Sequence, residues 1–599
     1  MGVNLEMVKG THAGLVSDRL NNPKFCGPAD ALTGIAPGWH PIIHNMGGMH
    51  AKLVPGMSLS GTESQMVHVY GGVSGRGIVQ KGRYVRAGEI LEVELWAKVR
   101  HHPVTVRVSL TPARSNALYD AADITIDAAY WKRYTARLNA PRDDREARFF
   151  ITFVTNGQVL FDQVHLRPAG EGHVSEPMLE TMRALRLPTV RFPGGSISSC
   201  YRWRHGTGPV HLRPSLPDPC FKWRIDYDFG IEDYLQMCLE QDIRPFVSVN
   251  IGSGTPAEAG ELAAYCADWH RMQGVEPPEV YFMMGNEQYG AWEPSHMEAD
   301  MYVEALREYV PLVRSNYPRA RIVAMGAIEC EGMDGRPATP LRHKLLEDGA
   351  GLFDVLTIHT YPGSGFDEPE RQIARAAAGA ASARSKLVQL IADCRDAGSD
   401  VKVAMTEWNF WTQATHWDGL GFFEPDDAAH GLFFSAMVHV FAGLAPDLEL
   451  AHYYNLINVM GMLRNDGGHV SPTGVSGLYE LYRPAFPGQV LPIAVDSPQL
   501  DDGSLQLDVL AVRTDEADFV FIANRSVRES VAVELAGMEG RPGSAALMLA
   551  ADAASPFREE DAATASSSVG SAGTETLLPP LSVVRLRYER AGTTGEERL

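Results

Sequence analysis

From about residue 175 onward, short apolar runs alternate with helix-patterned segments, and this alternation constrains the fold more than any other feature. The runs are Thr189–Phe192, Arg244–Asn250, Val280–Met284, Arg321–Met325, Asp354–His359, Val401–Thr406 and Leu448–Tyr453. Between them lie amphipathic stretches such as Ala257–His270 and Met297–Asn316. One helix start is well marked: Thr255-Pro256-Ala257-Glu258 offers an N-cap, a proline at the first helical position and a capping-box glutamate. Strand–helix repetition predicts parallel βα units. With Gly2–Met7 as an eighth strand, the units close into a (β/α)8 TIM barrel.

Two other regions alternate with period two, the mark of half-buried antiparallel strands. The first includes Ile90–Trp96, Val104–Leu110, Ala147–Phe153 and Val159–Val164; the second includes Leu505–Val512, Phe519–Ala523 and Leu581–Leu586. The fold class is therefore α/β plus all-β, with four parts. Residues 1–44 give the first barrel strand and its connection, and 45–168 an inserted β-sandwich. The barrel spans 169–488, and a second sandwich spans 489–599, with the Ala/Ser/Asp-rich stretch 551–576 as a loop.

Composition narrows the function classes. A net charge of −21 argues against a nucleic-acid binder, which needs clustered Lys and Arg to displace counterions. No stretch approaches 18 uninterrupted apolar residues, so no membrane span is expected. The first residues lack a basic segment followed by an apolar one. The chain as written is expected to be cytoplasmic, or secreted or periplasmic had a signal been removed. Seven cysteines, none in a Cys-x-x-Cys pair, read as reduced buried thiols, with one bridge such as Cys200–Cys220 left open.

In a (β/α)8 barrel the chemistry sits at the C-terminal strand ends. Here those ends carry Arg191-Phe192-Pro193-Gly194-Gly195-Ser196, Asn250, Gly285-Asn286-Glu287, His359-Thr360-Tyr361 and Thr406-Glu407-Trp408-Asn409, with Asn455 and Asn458 after the last strand. Two facing carboxylates supply an acid for a glycosidic leaving oxygen and a nucleophile for the anomeric carbon. Trp292, Trp408, Trp411 and Tyr361 would suit a sugar's apolar face. The plainer alternative makes Glu287 and Glu407 surface residues or ion-pair partners of Arg191 and Arg202. The glycine-rich Gly71–Gly77 reads as a sandwich turn, and His40, His44 and His50 as solvated or core residues. Trp96 and Trp131 read as core residues rather than sugar platforms.

Four segments together resemble the α-L-arabinofuranosidases of glycoside hydrolase family 51, in the large clan of retaining barrel glycosidases. They are Arg191–Gly195 through Tyr201-Arg202-Trp203 and Gly208-Pro209; Val249–Pro256; Gly285-Asn286-Glu287; and Glu407–Trp411. The resemblance implies that the inserted sandwich is carbohydrate-binding-module-like. It implies Glu287 as general acid/base and Glu407 as nucleophile, with catalysis needing no cofactor and no metal. It places Glu6, Arg191, Ser196, Asn286, His359, Tyr361, Trp411 and Asn455 around the sugar. Glu287 should then have a raised pKa and Glu407 should be ionised. Ser196 stands where many members have Asn, and Asn455 where they usually have Gln. The implied activity is exo-acting release of arabinofuranose from plant polysaccharide or oligosaccharides. The alternatives are an endo-β-1,4-glucanase or xylosidase on the same scaffold, and a non-catalytic carbohydrate-binding protein. The expected partner is a carbohydrate, with no nucleic acid and no membrane; an oligomer is left open.

Overall fold

The computed structural model describes the chain apart from residues 9–10, 44–45, 61–62, 73–74, 116, 328–338, 364–367, 412–425, 502, 538–542, 561–574 and 591–599. Eight parallel strands close a barrel: β1 (Gly2–Asn4), β2 (Thr189–Phe192), β3 (Arg244–Val249), β4 (Val280–Met284), β5 (Ala320–Met325), β6 (Val355–Thr360), β7 (Lys402–Trp408) and β8 (Leu448–Tyr453). Closure rests on β1, in which Val3 pairs with Val190 on one side and Tyr453 on the other. The first strand is shorter than the expected Gly2–Met7. Residues after Asn4 leave the ladder, although Leu5 and Met7 still donate backbone hydrogen bonds to Arg191 and Pro193.

The strands are apolar almost throughout because helices cover their outer face and side chains fill the interior. On β4 all five residues are buried. The expected helices form at Pro256–Met272 and Ala299–Asn316. At the first, the Thr255 side chain accepts from the Glu258 N–H, one half of a capping box. The Glu258 carboxylate reaches Arg202 at 2.6 Å. Trp408 closes the outer layer. It is fully buried against Phe433, Phe434, Phe441 and Tyr453, so it cannot serve as the sugar platform expected of it.

Between β1 and β2 the chain builds two facing five-stranded antiparallel sheets. The sandwich starts earlier than residue 45. His40–Pro41 pairs with Val79 and Ile78, and Leu20, Phe25, Ile35, Ala36 and Trp39 join its apolar core. Trp96 lies outside that core and stacks on His211 of the barrel, at 4.8 Å between ring centres. Lys98 sits over the Trp131 ring. His44 lies outside the described residues, and His40 and His50 are exposed.

After the barrel, a six-stranded antiparallel sheet runs in the order Gln489–Leu491, Leu507–Arg513, Ala517–Asn524, Ser582–Glu589, Gly543–Ala550, Phe557–Glu559. Its two faces divide by the pleat. Phe519, Phe521 and Ala523 belong to the barrel's core, whereas Val520 and Ile522 pack under a small two-stranded sheet, Val531–Glu534 with Glu575–Leu578. The stretch 551–576 is thus not wholly loop: it contains Phe557–Glu559 and the start of the Glu575 strand, and its middle lies outside the described residues.

Candidate active site

Strand pleating points Arg191 of β2 and Ser248 of β3 into the barrel, and the Arg191 side chain is fully buried. Its guanidinium is satisfied on three sides: Nε donates to Ser248 Oγ at 2.9 Å, one terminal nitrogen to Glu407 Oε1 at 2.7 Å, and the other to Asn286 Oδ1 at 2.8 Å. A buried charge is tolerated only when paired and hydrogen-bonded in this way. The ion-pair reading of Glu407 with Arg191 and its placement inside the barrel mouth are thus both true. The second Glu407 oxygen accepts from the Tyr361 hydroxyl at 2.7 Å.

Glu287 lies just past the end of β4, in left-handed backbone with φ of +38°. That conformation costs roughly 1–2 kcal/mol for a residue with a Cβ, and such strain concentrates at functional positions. Its carboxylate is 2.7 Å from His359 Nδ1 and accepts from Trp292 Nε1 at 2.9 Å. His359 Nδ1 is also 3.5 Å from Glu407 Oε2. One oxygen of each glutamate and a nitrogen of His359 all fall within 4.8 Å of one another.

Hydroxyls behind His359 fix the orientation of its ring. The Thr406 N–H donates to Thr357 Oγ1 at 2.9 Å, the two threonine oxygens are 2.9 Å apart, and Thr406 Oγ1 is 2.9 Å from His359 Nε2. His359 thus turns Nδ1 toward Glu287 and Nε2 toward the threonine hydroxyls. Burial works to raise the Glu287 pKa, but the hydrogen bond and charge of His359, the Trp292 N–H and Arg191 hold it below the ordinary value. The expectation of a raised Glu287 is therefore wrong for the unliganded protein, because its two donors favour the carboxylate.

Glu6 follows β1 and is buried beside Glu407. The Ile197 N–H donates to Oε1 at 3.1 Å and the Tyr454 hydroxyl to Oε2. Burial first, then the Glu407 charge, push its carboxyl up to about 8. The two glycines of Pro193-Gly194-Gly195 explain how these acids come so close. A Cβ on Gly194 would fall 2.2 Å from Glu6 Cβ, and one on Gly195 would fall 2.5 Å from Glu407 Oε1 and 3.0 Å from Glu6 Oε1.

Three residues expected at the sugar have protein partners of their own. Asn455 is fully buried; its Oδ1 accepts from the Glu6 and Leu456 N–H groups, so it clamps the Glu6 backbone. Asn286 is 1% exposed, with Oδ1 on Arg191 and Nδ2 on Glu293 at 2.9 Å. Ser196 likewise hydrogen-bonds Glu293. Trp411 packs edge-on against Tyr361, with 5.8 Å between ring centres.

Glu293, unforeseen from the sequence, is the hub of this side of the site. It accepts from Ser196, from Ser199 at 2.7 Å and from Asn286, and burial raises its carboxyl to about 7. The signal available was a second acid in the loop that carries Glu287, followed directly by Pro294. Ser199, Gln288, Thr406 and Tyr454 were also missed. Among the described residues, two groupings place three potential metal ligands together: Glu287, His359 and Glu407, and Cys200, Asp218 and Cys220.

A closed barrel with two glutamates facing each other at its C-terminal mouth is the arrangement that glycosidic cleavage on two carboxylates requires. Residues 181–276 match the family model "Alpha-L-arabinofuranosidase 1 domain". A probable α-L-arabinofuranosidase C of Aspergillus terreus is 25% identical over 310 residues, covering 49% of this chain and 62% of that protein. An intracellular exo-α-(1→5)-L-arabinofuranosidase of Streptomyces lividans is 24% identical over 413 residues, covering 63% of this chain and 61% of that protein. The matches thus span about three fifths of the length of these relatives. Among solved structures, an arabinose-bound MgGH51 α-L-arabinofuranosidase matches with a TM-score of 0.70 at 16% identity, over 98% of this chain and 97% of that one. The α-L-arabinofuranosidase of Thermotoga maritima matches with 0.59 at 21% identity, over 70% of this chain and 90% of that one. The chain is thus similar in sequence to α-L-arabinofuranosidases over part of its length, and it shares the fold of an arabinose-bound enzyme of that kind over nearly all of it.

Proposed function

We propose that this chain is a retaining glycosidase that releases arabinofuranose from α-L-arabinofuranosides. The observation that carries the reading is the pairing at the barrel mouth. Glu407 is fixed by hydrogen bonds from Arg191 and Tyr361, and Glu287 is aimed at the same space by His359 and Trp292. An approach of their oxygens to within 4.8 Å is compatible with the short carboxyl separation of retaining enzymes, roughly 5–5.5 Å.

In the first step Glu407 attacks the anomeric carbon and the glycosidic oxygen leaves with the Glu287 proton. The result is a glycosyl ester on Glu407 and a Glu287 carboxylate. In the second step that carboxylate takes a proton from water, which displaces Glu407 and regenerates both groups. The two donors on Glu287 suit its basic role in the second step. Protonation for the first requires a substrate whose leaving oxygen draws Glu287 away from His359. Glu6, protonated at neutral pH, is placed to donate to a sugar hydroxyl.

The test is hydrolysis of nitrophenyl α-L-arabinofuranoside beside the β-xyloside and polymeric β-glucan. Turnover of the arabinofuranoside alone is expected. Glu407→Ala should remove it, whereas Glu287→Ala should spare part of the activity on this good leaving group and far less on an oligosaccharide. Glucan chain scission without arabinofuranoside turnover would replace the reading by the endo-glucanase one.

A further inference from the structure

Beside the sugar pocket, on the far side of the Ser196 loop, two thiols face each other across 3.4 Å. Cys200 ends the short helical turn Ser196–Ser199, and Cys220 lies in the turn of the hairpin formed by Ser215–Asp218 and Trp223–Asp226. The two are 20 residues apart in sequence and both are half-buried, whereas Cys26, Cys238, Cys266 and Cys394 are buried. From these juxtaposed sulfurs we infer that Cys200 and Cys220 are a site of disulfide formation that ties the hairpin to the loop carrying Gly195 and Ser196.

The surroundings prepare this pair. Asp218 Oδ1 accepts from the Cys220 N–H at 2.8 Å and the Phe221 N–H at 3.2 Å, which holds the hairpin turn so that Cys220 faces Cys200. Backbone carbonyls stand ready for both S–H groups, Ser196 O at 3.0 Å from Cys220 and Ile197 O at 3.4 Å from Cys200. With the protons directed there, sulfur lone pairs face each other. Closing the bond to about 2.05 Å needs a contraction of little more than an ångström, within reach of a turn and a hairpin tip. Its partner cysteine, burial and Asp218 all raise the Cys220 thiol, so the reduced pair persists until an oxidant arrives.

Hydrogen peroxide is the oxidant the step needs. One sulfur, on losing its proton, attacks the peroxide oxygen, the O–O bond breaks, and a sulfenic acid and water result. The second sulfur then attacks the sulfenic sulfur, the S–O bond breaks, and a second water leaves with that thiol's proton. Two thiols are oxidised and one peroxide is reduced to two waters. The bond replaces the Cys220 S–H donor on the Ser196 carbonyl with a covalent tether one turn from the glycine lodged between Glu6 and Glu407.

The full chain should be treated with hydrogen peroxide, denatured, alkylated with iodoacetamide and digested with trypsin. Arg202 and Arg204 separate the two cysteines into different peptides. Expected is a linked pair containing Cys200 and Cys220, lighter than its sum by two hydrogens and split by dithiothreitol. The oxidised protein should also melt at a higher temperature than the reduced protein, with the rise absent in Cys200→Ser. Recovery of both cysteines in alkylated form, or linkage of either to another cysteine, overturns the assignment. So does equal melting of the oxidised and reduced wild type. The wild-type mass map decides the matter even if the variant does not fold.

Discussion

His359 places its Nδ1 2.7 Å from Glu287 Oε1, and its Nε2 lies 2.9 Å from the Thr406 hydroxyl, itself 2.9 Å from that of Thr357. Glu287 is thereby held below the ordinary carboxylate value. In His359→Ala, burial would no longer be opposed by this neighbour. The alkaline limb of the kcat/KM profile should move to higher pH, while the rate at the optimum falls because Glu287 loses its orientation. A limb that stays where it was would sink the assignment of that limb to Glu287.

Gly195 is wedged between two acids. In Gly195→Ala the new methyl would lie 2.5 Å from Glu407 Oε1, and Glu407 cannot yield freely because Arg191 and Tyr361 pin it. A displacement near 1 Å of a reacting group can cost on the order of 100-fold in rate. Expected is a kcat loss of that order with a nearly unchanged melting temperature, checked by steady-state kinetics and calorimetry on one preparation. Full activity would mean that Glu407 is not the reacting group.

The barrel was legible because parallel strands buried on both faces leave apolar runs whose ends name themselves; Glu287, Glu407, Arg191 and Tyr361 were read from those ends, whereas Glu6 came only from the family resemblance. Asn455 and Trp408 were misread because strand ends do not tell which way a side chain turns. Trp408 faces the helices, and Asn455 spends its oxygen on the Glu6 backbone. Glu293 escaped because its partners Ser196 and Ser199 come from a loop 90-odd residues earlier, and no local pattern announces a pairing over 94 residues. The inserted sandwich began before residue 45 because Leu20–Trp39 packs on it as irregular chain with no period to read.

Ser196 and Glu293 form one unit with Asn286. In Glu293→Gln the hydrogen-bonding shape largely survives, but the group that titrates near 7 is gone. Wild-type KM should therefore change between pH ~6 and ~8 as Glu293 ionises beside Asn286, and the variant's KM should be flat across that range. In Glu293→Ala, Asn286, Ser196 and Ser199 all lose a buried partner, with an expected cost of about 1–3 kcal/mol in stability. Parallel pH profiles of KM for wild type and Glu293→Gln would refute the role.

Glu6 links the site to stability. Its carboxyl rises from an ordinary 4.5 to about 8 in the folded protein, through burial and then Glu407. Between those values the folded chain keeps a proton that the unfolded chain has released. The stabilisation is therefore complete below the unfolded value and is lost as pH climbs through the folded one. Glu293, raised to about 7, acts in the same direction. The melting temperature should fall as pH is raised from ~5 to ~8, and the fall should be shallower in Glu6→Gln, whose amide stays neutral throughout. An equally steep fall in the variant would show that Glu6 ionises normally in the folded protein, and the proton-donor role proposed for it would then fail as well.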